Sequence, residues 1–205
     1  MNTIFKFALV SIVILMTSIS VGAQDYDKDK ILQQRVKERV KLMNDYVSWM
    51  GSKEKSEEAR NYYRKKALPL FIGKGYEYEE NGVTKQGVMM QTTSVNKGSV
   101  KTDLLRNYFS RLIKLKYSEV NITSTEIADM KVSDLKKVDS GDSSTLYMCT
   151  VQYVQYFRGK YGDGYVYADK TTKRIVCYVE VEETEDGQEF ITKLGDVEAI
   201  STERL

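Results

Sequence analysis

From Tyr117 to the C-terminus the apolar residues recur at every second position. A period of two puts successive side chains on opposite faces of an extended chain. This half of the molecule is therefore committed to half-buried β-sheet. The odd-numbered residues Tyr147, Cys149, Val151, Tyr153 and Phe157 share one face. Tyr165 and Tyr167 lead in the same way to Ile175, Cys177, Val179 and Val181. The even positions, among them Thr150, Gln152, Glu180 and Glu182, are wetter. An antiparallel sheet covered on one side needs this alternation. Strands are expected over 145–157, 165–168 and 174–183, with a closing strand from Phe190 to Ile200. SGDSS (140–144) and TEDGQ (184–188) read as turns.

The tyrosines of this region suit a strand surface, because tyrosine is apolar along its body and wet at its tip. The connection between the two central strands has two readings. A turn centred on Gly162-Asp163-Gly164 makes Cys149 face Cys177 directly, close enough for a disulfide. A turn at ADKTTK (168–173) shifts the pairing and separates the sulfurs.

The N-terminal half steps by threes and fours instead. Leu32, Val36, Val40, Met43, Val47 and Met50 mark one face of a helix over 28–50, widened by Leu42, Tyr46 and Trp49. A second helix is expected over 53–70, capped by Ser52 and ended at Pro69. Asn81-Gly82 between two extended runs predicts a tight hairpin. Leu104–Leu105, Tyr108–Phe109 and Leu112–Ile113 recur as pairs and predict a helix over 100–115, with Thr102 as N-cap.

Composition excludes several chemistries. The chain has no histidine, which removes Ser-His and Cys-His catalysis and imidazole metal sites. Its two cysteines cannot form a Cys-rich metal site. EVEETED (180–186) lacks the spacing and glycine of a calcium loop. No phosphate loop, nucleophile elbow or cofactor motif is present. No catalytic residue, metal or cofactor is therefore assigned. With 31 Lys and Arg against 29 Asp and Glu, nothing draws the chain to nucleic acid.

The first residues set out a basic start at Lys6, an apolar run from Phe7, and Gly22-Ala23 before a polar switch. This is the pattern of a signal peptide over residues 1–23, cut between Ala23 and Gln24. It implies an exported, periplasmic or secreted domain over residues 24–205. The alternative is an uncleaved anchor, since the seventeen residues from Phe7 to Ala23 are at the short edge of a bilayer span. Only in that case does the chain meet a membrane.

The order α-α-β-β-α-β-β-β-β resembles the NTF2-like superfamily, also called cystatin-like. The elements that carry the resemblance are the two N-terminal helices, the Asn81-Gly82 hairpin, the GVMMQ strand (87–91), the helix over 100–115 and the long C-terminal strands. The resemblance implies an α+β fold whose curved antiparallel sheet wraps a helix and leaves a cone-shaped pocket. It spans ligand binders, secretion-complex subunits and enzymes, so fold alone does not assign a role. The leading expectation is a non-catalytic binder of a small ligand or an envelope protein, with Tyr46, Trp49, Tyr153 and Tyr165 as candidate pocket residues. For Trp49, plain core packing is the competing account. A membrane-anchored assembly subunit and an Asp/Tyr-based isomerase are the alternatives. For the isomerase, Asp103, Asp129 and Asp163 are the acids in view, none of them matching a base. An apolar sheet face also offers a homodimer contact.

Overall fold

Two long hairpins organise the C-terminal half, as the period-two pattern requires. In a computed structural model the backbone is described for residues 4–205 apart from 81, 97, 141–143 and 163. Side chains are described from Lys28 onward, apart from those residues and from Ser140 and Tyr165. The expected cleavage pair Ala23-Gln24 lies outside the described side chains. Residues Met1–Arg35 and Val36–Leu205 form two separate units. The first is helical from Ile4, and the second holds every other element.

The helices are α1 (Ile4–Gly51), α2 (Glu57–Ala67) and α3 (Leu105–Ile113). The strands before α3 are β1 (Tyr78–Glu80), β2 (Val83–Lys85), β3 (Met89–Thr92) and β4 (Lys101–Leu104). After it come β5 (Glu119–Ser124), β6 (Lys131–Val132), β7 (Lys136–Ser140), β8 (Ser144–Tyr161), β9 (Tyr165–Thr184) and β10 (Gly187–Arg204). The fold is α+β. Its main sheet has the order β4-β3-β10-β9-β8-β5, with β6 and β7 also paired to β8. The sheet is mixed and not antiparallel throughout as expected, because β3 meets β10 in parallel at Met90 and Val197. Strand direction across a distant pair leaves no trace in local periodicity.

The β8–β9 register runs unbroken from Tyr161↔Tyr165 to Ser144↔Glu182, and Cys149 faces Cys177. The connection therefore lies between Tyr161 and Tyr165, with Asp163 outside the described residues. Residues 168–173, the rival turn, lie inside β9. Both cysteines are buried free thiols. β10 carries register shifts between Leu194 and Val197 and between Ala199 and Ser201. Such bulges bend a strand and sharpen its twist. At the first of them the Asp196 carboxylate accepts a hydrogen bond from the Met89 backbone N–H at 2.7 Å, which fastens β3 to β10.

The predicted α1 stripe is buried at Val36, Val40, Met43, Val47 and Met50. α2 is shorter than expected. Ser56, not Ser52, caps it by accepting from the Ala59 N–H, and Pro69 sits in the single turn Leu68–Leu70. Glu80 stands opposite Val83 and Gly82 has φ 72°, while Asn81 of the expected hairpin turn lies outside the described residues. α3 begins at Leu105, and Thr102 belongs to β4, where it pairs with Gln91. The end of α3 is held by cations, as the helix dipole favours. Arg60 donates to the Ile113 carbonyl at 2.6 Å, and Lys53 donates to the Leu115 carbonyl at 2.5 Å. Phe71 and Phe109 pack edge to face at 6.2 Å within the core.

Candidate functional site

The covered face of the β8–β9 hairpin changes character along its length. Toward the open end it is hydrocarbon and thiol, with Val151 opposite Ile175 and Cys149 opposite Cys177. Toward the turn the same odd positions become polar. Tyr153 faces Lys173, Gln155 faces Thr171, and Phe157 faces Asp169. In α3, Leu105 and Phe109 are fully buried. Over the polar part a cavity of about 440 Å³ remains, bordered by α3, the segment after β3 and this stretch of hairpin. Its size falls in the range of small-molecule sites, roughly 300–1,000 Å³.

One wall is aromatic. Tyr117 packs on Phe157 at 5.5 Å and on Tyr161 at 4.2 Å between ring centroids. Phe157 continues to Tyr167 at 5.9 Å. Gly159 makes this wall possible, because a Cβ there would lie 2.7 Å from the Tyr117 ring. Exposed Tyr161 places the wall's outer end at solvent.

The floor is polar and buried. Tyr167 donates its hydroxyl proton to the Asp169 carboxylate, and Ser94 Oγ stands 2.9 Å from the Tyr167 oxygen. Burial pushes the Asp169 carboxyl above its usual range, against the opposing pull of Tyr167 and Lys173. Burial also raises the Tyr167 phenol, and the Asp169 contact adds to it. Gln155 donates to the Asn44 side chain at 3.3 Å, and Asn44 donates to the Val40 carbonyl at 3.1 Å. This chain of amides ties the floor to α1.

Lys173 is the unusual member, a lysine only 4% exposed. Among the described residues its one hydrogen-bond partner is the Met90 thioether, at 4.0 Å. Its amine also lies 5.7 Å from the centre of the Tyr108 ring. Burial lowers its pKa to about 8, with the Asp169 charge working in the other direction. A buried cation without a close carboxylate is costly, which is why such lysines are rare away from sites that use them.

The structure separates the four residues expected to line a pocket. Tyr153 is buried beneath the cavity floor, opposite Lys173. Tyr46 and Trp49 stand elsewhere, in a cluster with Tyr63 of α2 at 6.2 and 4.9 Å. Trp49 is 37% exposed, so core packing does not account for it either. Tyr165 opens β9 opposite Tyr161, and its side chain lies outside the described residues. Of the acids considered, Asp103 is ion-paired with Arg111, Asp129 is exposed, and Asp163 lies outside the described residues. The pattern of apolar residues passes over Asp169, Thr171 and Lys173. The odd-position rule continued backward from Cys177 reaches all three. ADKTTK looks like a turn because its inward face is polar. Among the described residues no group of acidic or cysteine side chains is placed to hold a metal ion, and no helix is long and apolar enough to cross a membrane.

No family model and no curated protein matches this chain. Among solved structures it is similar to a Novosphingobium aromaticivorans protein named "Putative Scytalone Dehydratase". The similarity covers 87% of this chain and 91% of that one, at 11% identity and a TM-score of 0.34. A likeness this shallow carries no argument about the chemistry of the cavity.

Proposed function

We propose that this chain is a small-molecule-binding protein whose ligand enters the cavity between α3 and the turn end of the β8–β9 hairpin. The observation that carries the reading is the pairing of an aromatic wall with a buried polar floor around one open cavity. Stacking surface with a few fixed polar groups is the composition of a ligand site. The floor groups are also held from behind, by the Asn44–Gln155 amides and the Ser94–Tyr167–Asp169 chain. Held groups lose little freedom on binding, so their hydrogen bonds count toward affinity. A pocket is also what the NTF2-like resemblance implies. The N-terminal apolar run ending at Ala23 supports an exported protein as the setting.

The test is methyl-resolved NMR with the neutral probe 2-naphthylacetamide. Ile122, Leu112 and Leu115 line the cavity and report its occupation. Saturable shifts at these methyls are expected, with Trp49 unmoved. Shifts confined to the Trp49 side of the molecule, or no saturable shift at all, would sink the proposal.

A second reading has one observation in its favour. The Tyr167–Asp169 pair beside Lys173 places a phenol, a carboxyl and an amine of shifted proton affinity in one cavity. That set is able to move a proton at a carbon next to a carbonyl. Deuterium wash-in from solvent into 2-tetralone, lost in Asp169→Asn, would favour it. Wash-in no faster than in buffer alone would remove it.

A further inference from the structure

The cavity also carries information about the charge of its ligand. Three of its lining residues are charged, Arg111, Asp169 and Lys173. Two are cations and one is an anion. The three are not equally engaged. Arg111 is ion-paired with Asp103, which lies outside the cavity. Asp169 already accepts the Tyr167 proton donor. Lys173 has no carboxylate within ion-pairing distance among the described residues, and its contacts there are a thioether and an aromatic ring. Both are soft, weak partners for an ammonium. A buried ammonium has three donors to satisfy. Here the protein supplies no oxygen to them among the described residues.

We infer that the ligand is an aromatic monoanion whose carboxylate pairs with Lys173 while its ring lies against Tyr117 and Phe157. This deepens the binding reading above and rests on it. A carboxylate would give the ammonium charge-assisted hydrogen bonds of the strong kind. The cavity lies between the two groups the ligand must reach, since Lys173 is on the floor and the Tyr117–Phe157 wall rises to exposed Tyr161. Ser94 and Thr171 line the same volume and offer neutral hydroxyls beside the anion. A dianion would place a second negative charge in a cavity that already holds Asp169. A neutral ring would leave Lys173 as it is.

The experiment titrates 2-naphthylacetate and its neutral amide, 2-naphthylacetamide, into the wild type, Lys173→Met and Arg111→Gln by calorimetry. The wild type is expected to bind the acid at least about tenfold more tightly than the amide, as a charge-assisted pair requires. In Lys173→Met that preference should vanish while the amide still binds. Because the methionine removes a buried charge, this variant should melt no lower than wild type, which keeps loss of folding from imitating the result. Equal affinity for acid and amide in wild type overturns the inference and leaves the binding reading intact. So does a preference that survives in Lys173→Met and is lost in Arg111→Gln. Failure of both probes to bind any of the proteins overturns both.

Discussion

Cys149 and Cys177 stand directly opposite each other on β8 and β9, and both are buried. Burial pushes the Cys177 thiol up, so little of it is thiolate at neutral pH. Neither sulfur should react with a soluble thiol reagent while the protein is folded. Labelling of the reduced protein at neutral pH is expected to reach both thiols only in denaturant. Rapid labelling of either thiol in the native state would mean that the hairpin is not seated as described.

Lys173 should make stability depend on pH in a defined window. Its pKa falls from 10.5 in the unfolded chain to about 8 in the folded one. Between those values the unfolded chain binds more protons, so stability rises as pH rises from about 8 toward 10.5. Below that window the buried ammonium destabilises the fold by about 3 kcal/mol, since each tenfold loss of proton affinity on folding costs about 1.4 kcal/mol. Buried Tyr108 and Tyr153 have raised pKa values and act oppositely, but only above the ordinary phenol value of 10.0. Urea midpoints should therefore place Lys173→Met above wild type at about pH 7, with the gap closing by about pH 10. A gap that stays constant with pH would show that the ammonium is solvated.

Gly159 is an overpacking site. A methyl at this position meets the Tyr117 ring. Gly159→Ala should cost about 1–3 kcal/mol and displace Tyr117 from Phe157. Chemical denaturation measures the first effect, and weaker binding of 2-naphthylacetamide measures the second. Unchanged stability would mean that Tyr117 is free to swing away.

Trp49→Ala tests the helix cluster. The indole loses its edge contact with Tyr46 and its tilted contact with Tyr63. Because more than a third of it already faces solvent, the loss should be about 1–2 kcal/mol and not unfolding. Probe affinity at the cavity should not change. A global collapse in circular dichroism would contradict the surface placement.

The scaffold is far more legible in the sequence than the site. The α1 stripe and the paired hydrophobics of α3 are spaced by helical geometry, which any window of sequence exposes. The start of α3 is not legible in this way. Lys101–Leu104 is extended because it pairs with Met89–Thr92, and that partner is set by tertiary contact. The cavity floor is hidden for a different reason. Periodicity is read from apolar residues, and at 167–173 the inward face is Tyr, Asp, Thr and Lys. A strand whose covered side is polar gives the same string as an exposed turn. Only the register inherited from Cys177 reveals it.

The β8–β9 register makes one coordinate serve two purposes. Counted outward from the turn, the inward rungs first line the cavity at Phe157–Asp169 and Gln155–Thr171 and then, past Tyr153 and Lys173, become apolar. Substitution near the turn is thus able to change the cavity lining while the deeper rungs stay as they are. A single-residue insertion in β9 between Lys173 and Ile175 has no such freedom. It would turn the even-numbered neighbours of Asp169, Lys170 among them, inward and replace the whole β9 side of the lining at once. Within this register the cavity changes by replacing rungs, not by adding one.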